Sequence, residues 1–313
     1  MLCERKSVLT LVPGWRLERT RGDSMHIVNL GVAWIVVGNA LWFLTANNAS
    51  SVLASTGQLR LPANATRADI LHDMYLKFKK WCKDRSLTCS CRRFTLAAIQ
   101  RDKMDKLVFF RSKAAQSPMV VAWLSEACGE FAKLCPDGIK TEAEVVSSCL
   151  WGLSKYVRII RTSDRSKGHQ TIRYPYNMLP YRLPPSWSFL FRFQSLCMGT
   201  ASLESPRFLT QEQVKALDEA GHTFLYMFSE LNRMTTDPHL WHHIPKLHQL
   251  HHIILDVIDD QNNPRFFHCF GDEDMVGIML KLAKSCHAST VVRNCVDKYT
   301  VGLLSRLAEF FDR

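Results

Sequence analysis

The sequence predicts a mostly α-helical chain, and three observations carry that expectation. Capping signals recur ahead of apolar stretches, at Thr66-Arg-Ala-Asp69, Thr141-Glu-Ala-Glu144 and Thr210-Gln-Glu-Gln213. In each, a hydroxyl and a side chain three residues on can satisfy two orphan N–H groups at a helix start reciprocally. Behind each signal, apolar residues return at the spacing of one helix face. Alternating runs of strand type are scarce, and no internal repeat is evident. The 313 residues, 47% hydrophobic and 22% charged, are enough for one large globular domain or two ordinary ones.

Residues 1–22 read as extended, with a turn at Pro13-Gly14. Met25 to Leu44 then reads as a buried helix. Its apolar part, 27–45, carries no charged side chain and nearly reaches the ~20 residues that span a bilayer. Arg16, Arg19 and Arg21 precede it, and the glycosylation sequons Asn48-Ala-Ser50 and Asn64-Ala-Thr66 follow. That combination also describes the signal anchor of a single-pass membrane glycoprotein. Asn29, Gly31, Gly38 and Asn39 interrupt the run, and Asp23 and His26 stand at its mouth, which suits a core helix of the same composition.

Residues 46–65 are rich in Ala, Ser and Asn and read as a linker. The capping signal at Thr66 opens a helix to about Asp84, with Ile70, Met74, Lys77, Phe78 and Trp81 at helical spacing. A Cys/Arg loop, a short helix near 94–100 and a helix from Pro118 to Leu134 follow, stopped at Pro136-Asp-Gly. Thr141 then starts a helix carrying Val145, Leu150, Leu153 and Val157, so 66–163 forms a helical block. Residues 164–205 break this texture with Pro, Arg and aromatic residues in no period. They read as an insertion between two helices, or alternatively as a basic, aromatic DNA-binding loop. Helices resume over 206–313: one from Thr210 through Leu217, Leu225 and Phe228, a start at Asp237-Pro238, one at 245–259, a turn at Asn262-Asn-Pro264, and two more at about 273–286 and 290–311.

Net charge is +11, which suits acidic partners such as DNA or an anionic membrane surface. The 11 cysteines are odd in number and contain no CxxC. Cys89-Ser-Cys91 is too tight for a zinc knuckle, so the thiols read as reduced and mostly buried in an intracellular compartment.

Two motifs carry the candidate chemistry. Asp23-Ser-Met-His26 precedes Leu30-Gly31, and Pro245-Lys246-Leu-His248 with His252 precedes Phe270-Gly-Asp-Glu273 and Gly277. Asp23 can cap the apolar helix or hold one tautomer of His26. Asp272, Glu273 and Asp274 suit a helix N-terminus whatever their chemistry. His248 and His252 share a helix face, as zinc ligands can. Cys269, Cys286, His287 and Cys295 supply no recognised zinc spacing around them, so hydrogen-bonded histidines are expected instead.

Together and in this order, the motifs resemble the downstream part of DDE-type DNA transposases of ribonuclease-H-like fold. The likeness is to the CACTA group and its mobile-element-derived eukaryotic relatives, over about residues 7–45 and 240–311. It implies that Glu273 is the last catalytic carboxylate, holding Mg²⁺ together with two upstream aspartates. Gly277 would allow close helix packing. Asp23, His26, Lys246, His248 and His252 would brace the site. The family activity is metal-dependent DNA cleavage and strand transfer. Only Glu4 and Glu18 precede Asp23 as acids, so the upstream catalytic half is expected to be missing.

On this likeness, residues 1–45 are a remnant of the ribonuclease-H-like core, 66–163 belong to the helical insertion domain, and 206–313 carry the terminal helices of a truncated fold. A chain of this kind is expected to be catalytically inert alone and to need no cofactor unless upstream aspartates restore a Mg²⁺ site. Its implied partners are DNA, sibling copies and full-length transposase, in the nucleus. The remaining alternatives are the membrane glycoprotein and a helical DNA-binding or scaffold protein unrelated to transposases.

Overall fold

The computed structural model describes residues 21–45, 65–103, 105–162, 208–267, 280, 283–284, 286–297 and 301. The chain divides into two compact units, Met1–Phe267 and His268–Arg313. The described residues are mostly helical and include no β-strand; Phe208 and Asn262 form one isolated antiparallel bridge. Residues 46–64 of the expected linker, the first sequon and Asn64 of the second, the Pro/Arg/aromatic insertion, Glu273 and Gly277 lie outside the described residues.

The apolar run forms one continuous helix, α1. It begins as a π-helix over Met25–Val32 and continues as an α-helix over Ala33–Leu44. It is long and apolar enough to cross a membrane, yet 78% of its most apolar window is buried inside the protein. Gly38 sets how closely it packs. A Cβ there would lie 2.6 Å from the Phe109 Cα, a backbone atom that cannot step aside. Phe110 N donates to Trp34 O nearby at 2.8 Å. Asn39, in the α-helical part of α1, is fully buried. Its Nδ2 donates to the Ile35 and Val108 carbonyls at 2.8 and 3.3 Å, and its Oδ1 accepts from Trp241 N at 2.8 Å. Burying an amide without such partners costs about 1–3 kcal/mol.

Helix α2, Arg67–Asp84, starts at the expected box. Thr66 accepts from Asp69 N, and the Asp69 side chain accepts from Thr66 N. Its buried face is Ile70, Leu71, Met74, Phe78, Trp81 and Cys82, with Lys77 half-buried at its edge. Helix α3, Ser117–Leu134, has Pro118 in its first turn, where a missing N–H is harmless.

Helix α4, Asp137–Thr162, begins one turn before the Thr141 signal. Pro136 precedes it, Ile139 N already donates to Pro136 O, and Asp137 places an acid at the positive end. Helix α5, Gln211–Met234, opens on a full capping box between Thr210 and Gln213. Helix α6, Pro245–Asp260, ends at Gln261 in the left-handed region, φ 57°. The closest helix pairings are α4 with α5 and α3 with α4; α1 lies on α3, and α6 packs on α5 and on the π-helical start of α1.

Two expected helices are replaced by turns. Around 94–100, Arg101 N closes back on Leu96 O while Gln100 takes φ 55°, which ends the turn before a helix can propagate. Asp237-Pro238 starts no helix. Asp237 accepts from His239 N, and Trp241 adopts φ 48° so that its amide reaches Asn39. The irregular segment 85–116 is nonetheless pinned to the core. Phe94 packs against Phe78, Phe110 and Trp123 with ring centroids 5.6, 5.4 and 5.9 Å apart. Such aromatic pairs each contribute about 0.5–1.5 kcal/mol beyond their buried area.

In the second unit, Ala288–Thr290 is a 3₁₀ turn and 291–297 are helical.

Candidate functional site

The π-helical start of α1 meets α6, so the two sequence motifs, more than two hundred residues apart, come into contact. Asp23 uses both carboxylate oxygens. Oδ1 accepts from Met25 N at 2.9 Å, and Oδ2 pairs with His26 Nδ1. Capping and bracing, the two alternatives open to this residue, are therefore performed together. Facing a carboxylate oxygen, Nδ1 is the ring nitrogen that donates.

From α6, the Lys246 stem crosses Gly31, and its Nζ donates to Leu30 O at 3.4 Å. A Cβ on residue 31 would stand 2.2 Å from Lys246 Cδ and 2.9 Å from His26 O. Glycine is therefore what lets the lysine lie on the helix. Two further contacts lock the junction. Ser24 Oγ donates to Pro264 O at 2.7 Å. Arg21 spans two carboxylates one turn apart on α6, Asp256 Oδ1 at 2.8 Å and Asp260 Oδ2 at 2.6 Å. Burial raises the Asp256 carboxyl above its ordinary value, Arg21 opposes that, and Asp260 reinforces it.

His248 and His252 are exposed on the same helix, with their Nε2 atoms 2.9 Å apart. One ring must donate to the other, so at most one of the two facing nitrogens carries the proton. The His222 and His251 rings meet edge to face at 5.5 Å, and His222 Nδ1 lies 2.6 Å from Asp218 Oδ1. Burial first, then the neighbouring His222, His252 and His248, hold His251 below the usual imidazole value. Among the described residues no group of three His, Cys, Asp or Glu side chains is arranged to hold a metal ion.

A second feature was not singled out by motif. Residues 67–113 hold 13 Lys and Arg against 5 Asp and Glu, a net of +8 out of the whole chain's +11. Lys80, Lys83, Arg92, Arg93, Lys103, Lys106, Arg111 and Lys113 are exposed. Arg101 differs: its side chain is wholly buried, paired with Asp237, with its guanidinium 5.0 Å from the Trp42 ring centroid. Arg67 sits 3.8 Å from the same ring. Burial, and then the charge of Arg101, lower the Arg67 pKa. A running count of charge along the sequence would have found this segment.

No family model, curated protein or solved structure matches the chain.

Proposed function

We propose that this chain is a DNA-contacting protein derived from a DDE-type transposase of ribonuclease-H-like ancestry, and that it binds through the basic segment 67–113. The observation that carries the proposal is the segregation of charge: eight exposed cations lie on α2 and the irregular segment after it. Cations spread along a surface loop neutralise phosphates and release counterions, giving tight, sequence-tolerant, salt-sensitive binding. A long irregular segment held down by aromatic anchors is also where binding residues concentrate.

The transposase ancestry is supported by the contact of Lys246 with Leu30 and Gly31, in the helix that Asp23-x-x-His26 opens. A D-x-x-H turn, a glycine and a Pro-Lys-x-His helix packed on one another is an arrangement with a reason to keep all three motifs. In this reading the junction is scaffold, DNA binding is retained, and the protein works in the nucleus, alone or beside sibling copies and full-length transposase.

The test is binding of labelled duplex DNA across a salt series. Log affinity is expected to fall linearly with log salt. Replacing Lys80, Lys83, Arg92 and Arg93 with Ala should weaken binding about ten- to a hundredfold and flatten the slope by about 0.9 per lost phosphate contact. Glu273→Ala should leave affinity unchanged. An unchanged slope in the fourfold variant sinks the proposal.

One observation favours a second reading, in which α1 crosses a membrane. Against it stand the burial of α1 by protein and the three hydrogen bonds of Asn39. Carbonate washing of a membrane fraction should release the protein; retention in the pellet with a glycan-dependent mass would favour the membrane glycoprotein.

A further inference from the structure

The two exposed histidines of α6 stand closer together than a shared helix face requires. Leu247, Leu250, Ile253, Ile254 and Val257 form the buried side of this helix. Residues four apart on such a surface have Cβ atoms about 5–6 Å from one another. From there the His248 and His252 rings lean together, with centroids 4.4 Å apart and planes at 79°. Their Nε2 atoms end 2.9 Å apart. Both rings face solvent, so an ion reaches them without any opening of the core.

We propose that His248 and His252 form a two-histidine chelate for a divalent transition ion that favours ligands at right angles, the class of Ni²⁺ and Cu²⁺. The geometry is a triangle. Imidazole nitrogens bind first-row divalent ions at about 2.0–2.1 Å. An ion at that distance from two nitrogens 2.9 Å apart sees them at about 90°. That is the cis angle of square-planar and octahedral coordination. A tetrahedral ion such as Zn²⁺ opens the angle to about 109°, which would need nitrogens about 3.3 Å apart. Two protein ligands occupy cis positions, and water or another exchangeable ligand takes the rest. The chelate therefore needs no third side chain, in keeping with the absence of a three-residue group among the described residues.

In the free pair, one Nε2 carries the hydrogen that it gives to the other. Ion binding uses both Nε2 lone pairs. The donating ring moves its proton to Nδ1 by exchange with water, and the two exposed rings swing until both lone pairs meet at the ion. Neither ring changes its charge, and no electron is transferred. The surroundings favour a cation. Asp256, Asp259 and Asp260 lie in the last turns of the same helix, at its negative end. Arg21 offsets part of this by pairing with Asp256 and Asp260, so these carboxylates supply field rather than ligands. His251 stands aside. Its ring is 6.4 Å from that of His252 and meets His222 of α5 at 5.5 Å instead.

Ni²⁺ is the probe, because Cu²⁺ oxidises thiols and the chain has 11 cysteines. The reduced full-length chain is titrated with Ni²⁺ at pH 7.5 in a non-chelating buffer, and separately with Zn²⁺, by calorimetry. His248→Ala and His252→Ala should each weaken Ni²⁺ binding at least about tenfold. The double variant should lose little more than either single one, because a lone imidazole has no partner left to chelate with. Zn²⁺ binding should fall less in the same variants. His248→Gln keeps a hydrogen-bonding side chain on the helix and should lose Ni²⁺ as fully as His248→Ala. His251→Ala and His242→Ala should leave the affinity within about twofold. Absence of Ni²⁺ binding would overturn the proposal. So would additive losses in the double variant, an equal loss in His251→Ala, or a greater loss for Zn²⁺ than for Ni²⁺.

Discussion

The segments 67–113 and 208–267 share one hydrophobic core and carry opposite surfaces. The first has a net charge of +8. The second has 4 Lys and Arg against 8 Asp and Glu, a net of −4, together with 7 histidines. The basic segment keeps its charge throughout the physiological range. The acidic one can change its own by titrating imidazoles. If the proposed DNA contact holds, binding and pH response fall in different segments, and each can be perturbed without the other.

The largest expected effect is at the place where the two segments are tied together. Arg101, from the basic segment, is wholly buried against Asp237 of the acidic one. Asp237→Ala removes that carboxylate partner and should cost about 3 kcal/mol in urea unfolding. A loss below about 1 kcal/mol would mean the tie is dispensable.

Next in size is the tenfold or greater loss of DNA affinity from the cations at 80, 83, 92 and 93. The comparison is sharpened by Lys215→Ala with Arg233→Ala on α5, which should leave binding as it was. An equal loss there would show that net charge alone, and not its placement, governs binding.

Gly31→Ala should be smaller still, about 1 kcal/mol, because the Lys246 stem can move but the His26 carbonyl cannot. A paired Gly31→Ala, Lys246→Ala variant should recover part of that loss. An additive result would show that the two residues do not meet.

The smallest effect is with pH. His251 has a folded pKa below its ordinary 6.5, so the unfolded chain binds the proton more tightly. The stability it contributes is present above pH 6.5 and declines as pH falls through the lower folded value. His222, His248 and His252 stand beside it, with Asp218 against His222, so the check is a difference. The fall in urea midpoint from pH 7.5 to 5.5 should shrink in His251→Gln, and an unchanged fall would remove His251 from the account.

Much of the helical framework was legible because its signals are local. The boxes at Thr66 and Thr210, Pro118, Pro245 and the apolar run from Met25 to Leu44 all ended up where their chemistry points. The Thr141 signal was overruled by Pro136 and Asp137, which start the same helix one turn sooner. The turn at 94–100 and the failed start at Asp237 depend on left-handed Gln100 and Trp241, conformations that side chains of this kind do not announce.

The candidate site divides in the same way. Asp23 and His26 are three apart on one strand of chain, so their pairing can be read from spacing. Lys246 over Gly31 is a tertiary contact with no local signature. The chain reversal that closes α2 turns on Ser86 in the left-handed region, where glycine or asparagine would have been the usual sign.

The burial of α1 also has a consequence in time. Its cover includes α3 and α6, and α6 is synthesised about 200 residues after Leu44, a delay of about 10–40 s at ordinary rates of translation. For that interval the twenty-residue apolar helix lacks the part of its cover that α6 supplies. Targeting factors that survey emerging chains read the same length and composition. Until α6 emerges, the face of α1 that it will cover stays open to those factors, so the order of synthesis leaves the π-helical start of the helix the last part to be enclosed.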